Sequence, residues 1–121
     1  MSVARNKVPE FRKFFTDDAI LETTAGSMAA SGRKPVVTAL KEVALLRSIF
    51  RNGIKFDIQS IVAEDETVHV EVRGTSKTPQ GVDYNNRYVF ILEFIDGKIK
   101  ELREYQDSAL LERVLMPFWT V

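Results

Sequence analysis

The chain has 121 residues, and Lys plus Arg equals Asp plus Glu at 17 each, so there is enough chain for one domain with a real core and no net charge to draw in nucleic acid or an anionic membrane. It has no cysteine and one histidine, His69, which excludes disulfides, thiolate catalysis, cysteine-bound zinc and a His-rich metal site within one chain. Hydrophobic residues at 45% suit a globular domain; MSVARNKVPEF lacks the apolar core of a signal peptide and no run spans a membrane, so a soluble, cytoplasmic protein is expected.

Phe11, Phe14 and Phe15 fall at helical spacing, which predicts a short helix from about Pro9 to Phe15. Asp17-Asp18 leads into a short strand, Ala19 to Thr24. A carboxylate pair can hold a divalent cation, but with no third carboxylate nearby a turn or solvated cap is the favoured reading. Ala25 to Lys34 reads as a surface loop whose Ser-Gly-Arg-Lys lacks phosphate-loop spacing. Pro35 opens a helix marked by Val36, Leu40, Val43, Leu46 or Arg47, and Phe50, and Asn52-Gly53 closes it. From Ile54 to Val62 the period becomes two, with Ile54, Phe56, Ile58 and Val62 apolar, which predicts a strand. Glu64-Asp65-Glu66 reads as a solvated turn in preference to a cation site. Thr67 to Arg73 alternates again, Val68, Val70 and Val72 against His69, Glu71 and Arg73, and Gly74 to Gly81 is a polar bend.

Gly81 to Asp107 is the organising stretch, because Asp96-Gly97 between two runs of large apolar residues is a strong hairpin signal. Strict pairing outward from that turn sets Leu92 opposite Glu101, Phe90 opposite Arg103, Tyr88 opposite Tyr105 and Asn86 opposite Asp107. One face then carries an apolar floor with Asn86, Tyr88, Tyr105 and Asp107 converging at its far end, the pattern of a small-molecule site. After Asp107, Leu110, Leu111, Val114 and Leu115 mark a short helix, followed by an apolar tail, Phe118, Trp119 and Val121, that needs a partner surface. The expectation is a single α+β domain over residues 1–121: about four main antiparallel strands plus a short one in a curved sheet, with helices on its concave face.

These features resemble the SnoaL-like branch of the nuclear transport factor 2-like superfamily, with ketosteroid isomerase, SnoaL-type polyketide cyclases and limonene epoxide hydrolase among its members. The resemblance rests on the order of elements, the SGRKPVVTAL loop and helix, and above all DGKIKELREYQD. It implies a cone-shaped barrel holding a mostly apolar pocket, commonly in a homodimer formed through the outer sheet face. It also implies that Asp107 matches the Asp that activates water in the epoxide hydrolase. That enzyme's other groups fall here on Glu22, Thr24, Glu71 and Arg73, so its reaction is not expected. The shared geometry would point His69, Glu71 and Arg73 into the cavity and leave Val68, Val70 and Val72 outside.

Each candidate has a plainer reading. Asp107 sits where a strand gives way to a helix, and an Asp N-cap is worth about 1 kcal/mol; capping and catalysis stand level on the residues alone, and the resemblance tilts toward a pocket role. Tyr88 and Tyr105 either stabilise an oxyanion or form half-buried wall. His69 either transfers protons or is structural, Glu71 and Arg73 either line the pocket or pair, and Asn86 orients Asp107 or a ligand carbonyl. The leading expectation is a homodimer whose pocket, lined by Asn86, Phe90, Leu92, His69, Glu71 and Arg73, binds a small hydrophobic carbonyl-bearing molecule. If it is an enzyme, the expected chemistry is isomerisation or cyclisation with no cofactor and no metal, Asp107 as base and Tyr88 or Tyr105 on the oxyanion. Its rivals are a non-catalytic binding module and an interaction protein docking through Val68, Val70, Val72 and the Phe118-Trp119 tail.

Overall fold

Asp96 and Gly97 both take positive φ, +50° and +79°, the backbone that a tight two-residue hairpin turn requires. They join strands β6 (Arg87–Ile95) and β7 (Lys98–Gln106) of a computed structural model that describes residues 2–3, 12–24, 32–47, 50 and 53–115. Before them come β1 (Ser2–Val3), β2 (Phe15–Thr23), β3 (Gly32–Pro35), helix α1 (Val36–Arg47), β4 (Ile54–Glu64) and β5 (Thr67–Thr75), and after them helix α2 (Ser108–Leu115). The strands form one curved, unclosed sheet in the order β1-β4-β5-β6-β7-β2-β3, antiparallel except where β2 runs parallel to β7.

The α+β class and the helices on the concave face are as expected, and among the described residues the sheet has seven strands. Phe15 begins β2 and is buried, so a nine-residue strand stands where a helix end and a short strand were expected. Gly32 to Pro35 belongs to β3 and not to a loop or a helix start. Pro9 to Phe11 of the expected Pro9–Phe15 helix and the whole Phe118–Val121 tail lie outside the described residues.

Pairing starts from the turn as expected, Ile95 with Lys98 and Phe94 with Ile99, and then slips by one: Glu93 pairs with Glu101, Leu92 with Leu102, Phe90 with Glu104, Val89 with Tyr105 and Tyr88 with Gln106. Lys100 is the extra residue, a β-bulge that reverses the facing of everything beyond it on β7. The cause is apolar spacing. Ile99 and Leu102 both pack in the core, yet they are three apart, and a strict period of two cannot turn both inward. A second bulge in β4, at Gln59, sets Ile58 opposite Val72 and Ile61 opposite Val70, and both isoleucines stay exposed.

Two apolar clusters hold the helices against the concave face. In one, Leu111 and Leu115 of α2 pack with Phe50, Ile54, Phe56, Val72, Tyr84 and Tyr88. In the other, Val36 of α1 packs with Phe15 and Ala19, flanked by Leu40, Ile99 and Leu102. The strip of sheet between these clusters carries the candidate site.

Candidate functional site on the concave face

The register settles which side chains share the concave face. Val68, Val70 and Val72 pair with Leu92, Phe90 and Tyr88 there, while His69, Glu71 and Arg73 pair with Ile91, Val89 and Arg87 on the convex face. Val72 is 1% exposed, whereas His69, Glu71 and Arg73 are all exposed. The placement implied by the resemblance is therefore reversed for all six residues, and Val68, Val70 and Val72 are not an outer docking stripe. Burial of the valines decides the face: three β-branched apolar side chains favour the core over water by about 1.5–3 kcal/mol each when fully buried.

The expected meeting of Tyr88, Tyr105 and Asp107 does not occur. Tyr88 is 6% exposed, stacked on Phe90 at 5.7 Å and edge-on to Phe56 at 5.6 Å. Tyr105 lies on the convex face beside Val89 and is 41% exposed. The Asp107 side chain caps α2: its Oδ1 accepts the Leu110 N–H at 3.1 Å. Asn86 does not meet that carboxylate. It grips the Asp107 main chain, Oδ1 accepting the Asp107 N–H at 3.1 Å and Nδ2 donating to the Asp107 carbonyl at 3.2 Å.

In place of the expected set, the slipped register brings Glu104 and Gln106 onto the concave face beside Phe90 and Tyr88, next to Thr23 of β2. Glu104 is half-buried, and its Oε2 accepts from Thr23 Oγ1 at 2.8 Å and Gln106 Nε2 at 2.9 Å. Gln106 Oε1 accepts from the Tyr84 hydroxyl at 3.2 Å and Asn86 Nδ2 at 3.3 Å. Burial pushes the Tyr84 hydroxyl above its usual range, against the hydrogen bonds of Asn86 and Tyr88, and the negative charges of Glu104 and Asp107 push it the same way. Tyr84 therefore remains a neutral hydrogen-bonding group across the physiological range. Phe90, Leu92, Val68, Val70 and Leu102, all half-buried, form the apolar surround.

Thus Tyr88, Phe90, Leu92 and Asn86 are on the concave side, while Tyr105, His69, Glu71 and Arg73 are not. Sequence reasoning missed Glu104, Gln106, Thr23 and Tyr84. The signal for the first two was the three-residue step from Ile99 to Leu102, which demands a bulge before Glu104.

The convex face carries its own charge ladder. Arg33 reaches Glu22 at 2.8 Å and Glu101 at 2.5 Å, and Arg103 reaches Glu101 at 3.0 Å and also pairs with Glu93. The hydrogen bond from Arg103 holds the Glu93 carboxyl below its ordinary range, assisted by Glu101. Open depressions of about 340 Å³, beside Val62, Asp65 and His69, and about 470 Å³, beside Lys55, Thr75 and Lys77, lie away from the concave strip. Among the described residues no group of three His, Asp or Glu side chains is placed to hold a metal, and no helix is long and apolar enough to cross a membrane.

A curved, mostly antiparallel sheet with helices packed on its concave face is the architecture of nuclear transport factor 2-like proteins. A family model described as the SnoaL-like domain matches residues 2–102, and the chain belongs to that family. Among solved structures, one assigned as a SnoaL-like polyketide cyclase from Jannaschia sp. CCS1 is 17% identical, with a TM-score of 0.74 over 90% of this chain and 78% of its own. One assigned as an isomerase from Bacillus subtilis is 14% identical, with a TM-score of 0.77 over 93% and 82%. TerC, co-crystallised with polyporic acid, is 14% identical, with a TM-score of 0.76 over 90% and 85%. At these identities the likeness is one of fold. No protein of curated function matches in sequence.

Proposed function

We propose that this SnoaL-like domain binds a small, largely apolar, carbonyl-bearing molecule on the concave strip between the two core clusters, and that Glu104 exchanges a proton with it in a cofactor-free isomerisation or aldol-type cyclisation. The observation that carries this is the bulge at Lys100, which sets the half-buried Glu104 carboxylate beside Phe90 on the apolar face. The neighbours assigned as a polyketide cyclase and as an isomerase, and the one crystallised with polyporic acid, support a reading of this kind. A second reading, a binding module without turnover, is favoured by Asp107, whose carboxylate is committed to the α2 cap.

Solvent deuterium exchange at the carbon next to the carbonyl, followed by NMR over a panel of apolar ketones, separates the two readings. A general base contributes about 10²–10⁴-fold, so Glu104→Gln is expected to slow exchange by at least about 100-fold while Asp107→Asn leaves it nearly unchanged. Ketones that bind wild type without any exchange establish the binding module. Exchange that is equal in wild type and Glu104→Gln removes Glu104 from the chemistry.

We also propose that two copies pair through the convex face, in keeping with the homodimer that the resemblance implied. Val62, Val89 and Tyr105 are exposed there by 62%, 38% and 41%, among charges of both signs that include Glu71, Arg73 and Arg87. A mixed rim of that sort can meet its own copy without net repulsion.

A further inference from the structure

The bulges in β4 and β7 act on the same cross-strand row of the concave face. Thr23, Glu104, Phe90, Val70 and Ile61 are successive partners in that row, from β2 through β7, β6 and β5 to β4. At one end the bulge at Lys100 turns Glu104 into the row. At the other the bulge at Gln59 turns in Ile61; in an unbroken ladder Ser60 would stand opposite Val70 and Ile61 would face the convex side. Core burial does not account for this second bulge, because Ile61 is 61% exposed and its neighbour on the same face, Ile58, is 45% exposed. The row therefore has a polar end on β7 and β2, a half-buried apolar middle, and an apolar end on β4 that is turned inward and left open.

We infer that the ligand is an elongated carbonyl compound: its carbonyl end lies at Glu104 on β7, and its apolar body crosses Phe90 and Val70 to end on Ile61 and Ile58 of β4. This rests on reading the concave strip as a ligand pocket, and it adds a length to that reading. Neighbouring strands lie about 4.8 Å apart, so the steps from β7 through β6 and β5 to β4 span about 14 Å. An extended chain advances about 1.25 Å per carbon at ordinary single-bond length and angle, which sets the body at about eleven carbons. A compact ligand seated at Glu104 would leave both isoleucines in water and the bulge at Gln59 without a purpose. The side chains at the β4 end are hydrocarbon, so the far end of the ligand is apolar as well.

A series of methyl ketones, 2-hexanone, 2-octanone, 2-decanone and 2-dodecanone, titrated below the solubility of each by NMR chemical-shift mapping, tests the length. In wild type, affinity is expected to climb through the whole series, by about two- to fourfold for each added methylene. Phe90 resonances should move with every member, and the Ile61 methyl resonances only with the longer two. Ile61→Ser, at a position exposed enough to leave the fold intact, should weaken 2-dodecanone about fivefold or more and leave 2-hexanone unchanged. Val62→Ser is the control: the next residue, 62% exposed but on the convex face, it should leave the series as it is in wild type. Affinity that levels off at 2-octanone while the shorter ketones bind overturns the length and leaves the pocket standing. Equal effects of Ile61→Ser and Val62→Ser on 2-dodecanone overturn the placement on β4. An Ile61→Ser chain that changes its self-association and keeps the wild-type ketone series gives that edge to a second copy, which also overturns the inference. If no ketone moves the Phe90 resonances, the pocket reading itself fails and the length falls with it.

Discussion

Gly74 is the residue on which the shape of the concave wall turns. It lies on β5 opposite Phe56, and a Cβ built there would stand 2.8 Å from Tyr88 Cε2 and 3.3 Å from Ile54 Cγ2, against ordinary contacts of 3.4 Å or more. Clearing the methyl requires the Tyr88 ring to move by roughly half an ångström. It has little room, since Phe90 stacks on one side and Phe56 meets it edge-on. Overpacking of this kind costs about 1–3 kcal/mol, while replacing Gly by Ala returns about 0.4–1 kcal/mol by restricting the unfolded chain. We expect Gly74→Ala to lose about 1–2 kcal/mol net. In urea, with a slope of about 1–3 kcal/mol per molar, the midpoint falls by about 1 M. Tyr88→Leu removes the offending ring atom, so in that background Gly74→Ala should cost close to nothing, and the double-mutant cycle should show coupling of about 1 kcal/mol or more. A midpoint unchanged or raised by Gly74→Ala, or a cost that persists without the Tyr88 ring, would refute the close approach.

Asp107→Ala should destabilise by about 1 kcal/mol through loss of the α2 cap, whereas Asp107→Ser, which can still accept the Leu110 N–H, should stay within a few tenths; equal losses for both, measured by thermal unfolding, would argue against capping. On the convex face Val89 and Tyr105 are directly paired, and Tyr105→Glu should weaken self-association about 30-fold or more if the ring is buried near the centre of a two-fold interface. Sedimentation velocity reads this directly, and a wild-type chain that stays monomeric at about 50 μM would dispose of the dimer.

The fold was legible because its strongest signals are local. Asp96-Gly97 fixed the hairpin, and the change of period at Asp107 fixed the helix after it. The site was not legible, because facing in a strand is a running count that a single bulge resets. Beyond Lys100 every expected partner on β7 is off by one, and that one residue replaces Tyr105 and Asp107 with Glu104 and Gln106 on the concave face. The spacing of Ile99 and Leu102 carried the warning, since two core residues three apart in a strand are incompatible with unbroken pairing. On β5 the plain valine pattern pointed to the right face, and the resemblance overrode it. A role carried over from a relative brings that relative's register with it, and a likeness of fold does not guarantee the register of each strand. Where alternation and a carried-over role disagree about a β-branched strand, as at Val68, Val70 and Val72, the side chains that leave water have the stronger claim. Tyr84 and Gln106 were beyond either argument. Their bond joins residues 22 positions apart, beside an Asn86 amide turned by backbone N–H groups at Arg87 and Asp107, so the surroundings of Glu104 depend on contacts that exist only once the bulge, the hairpin and the α2 cap are in place together.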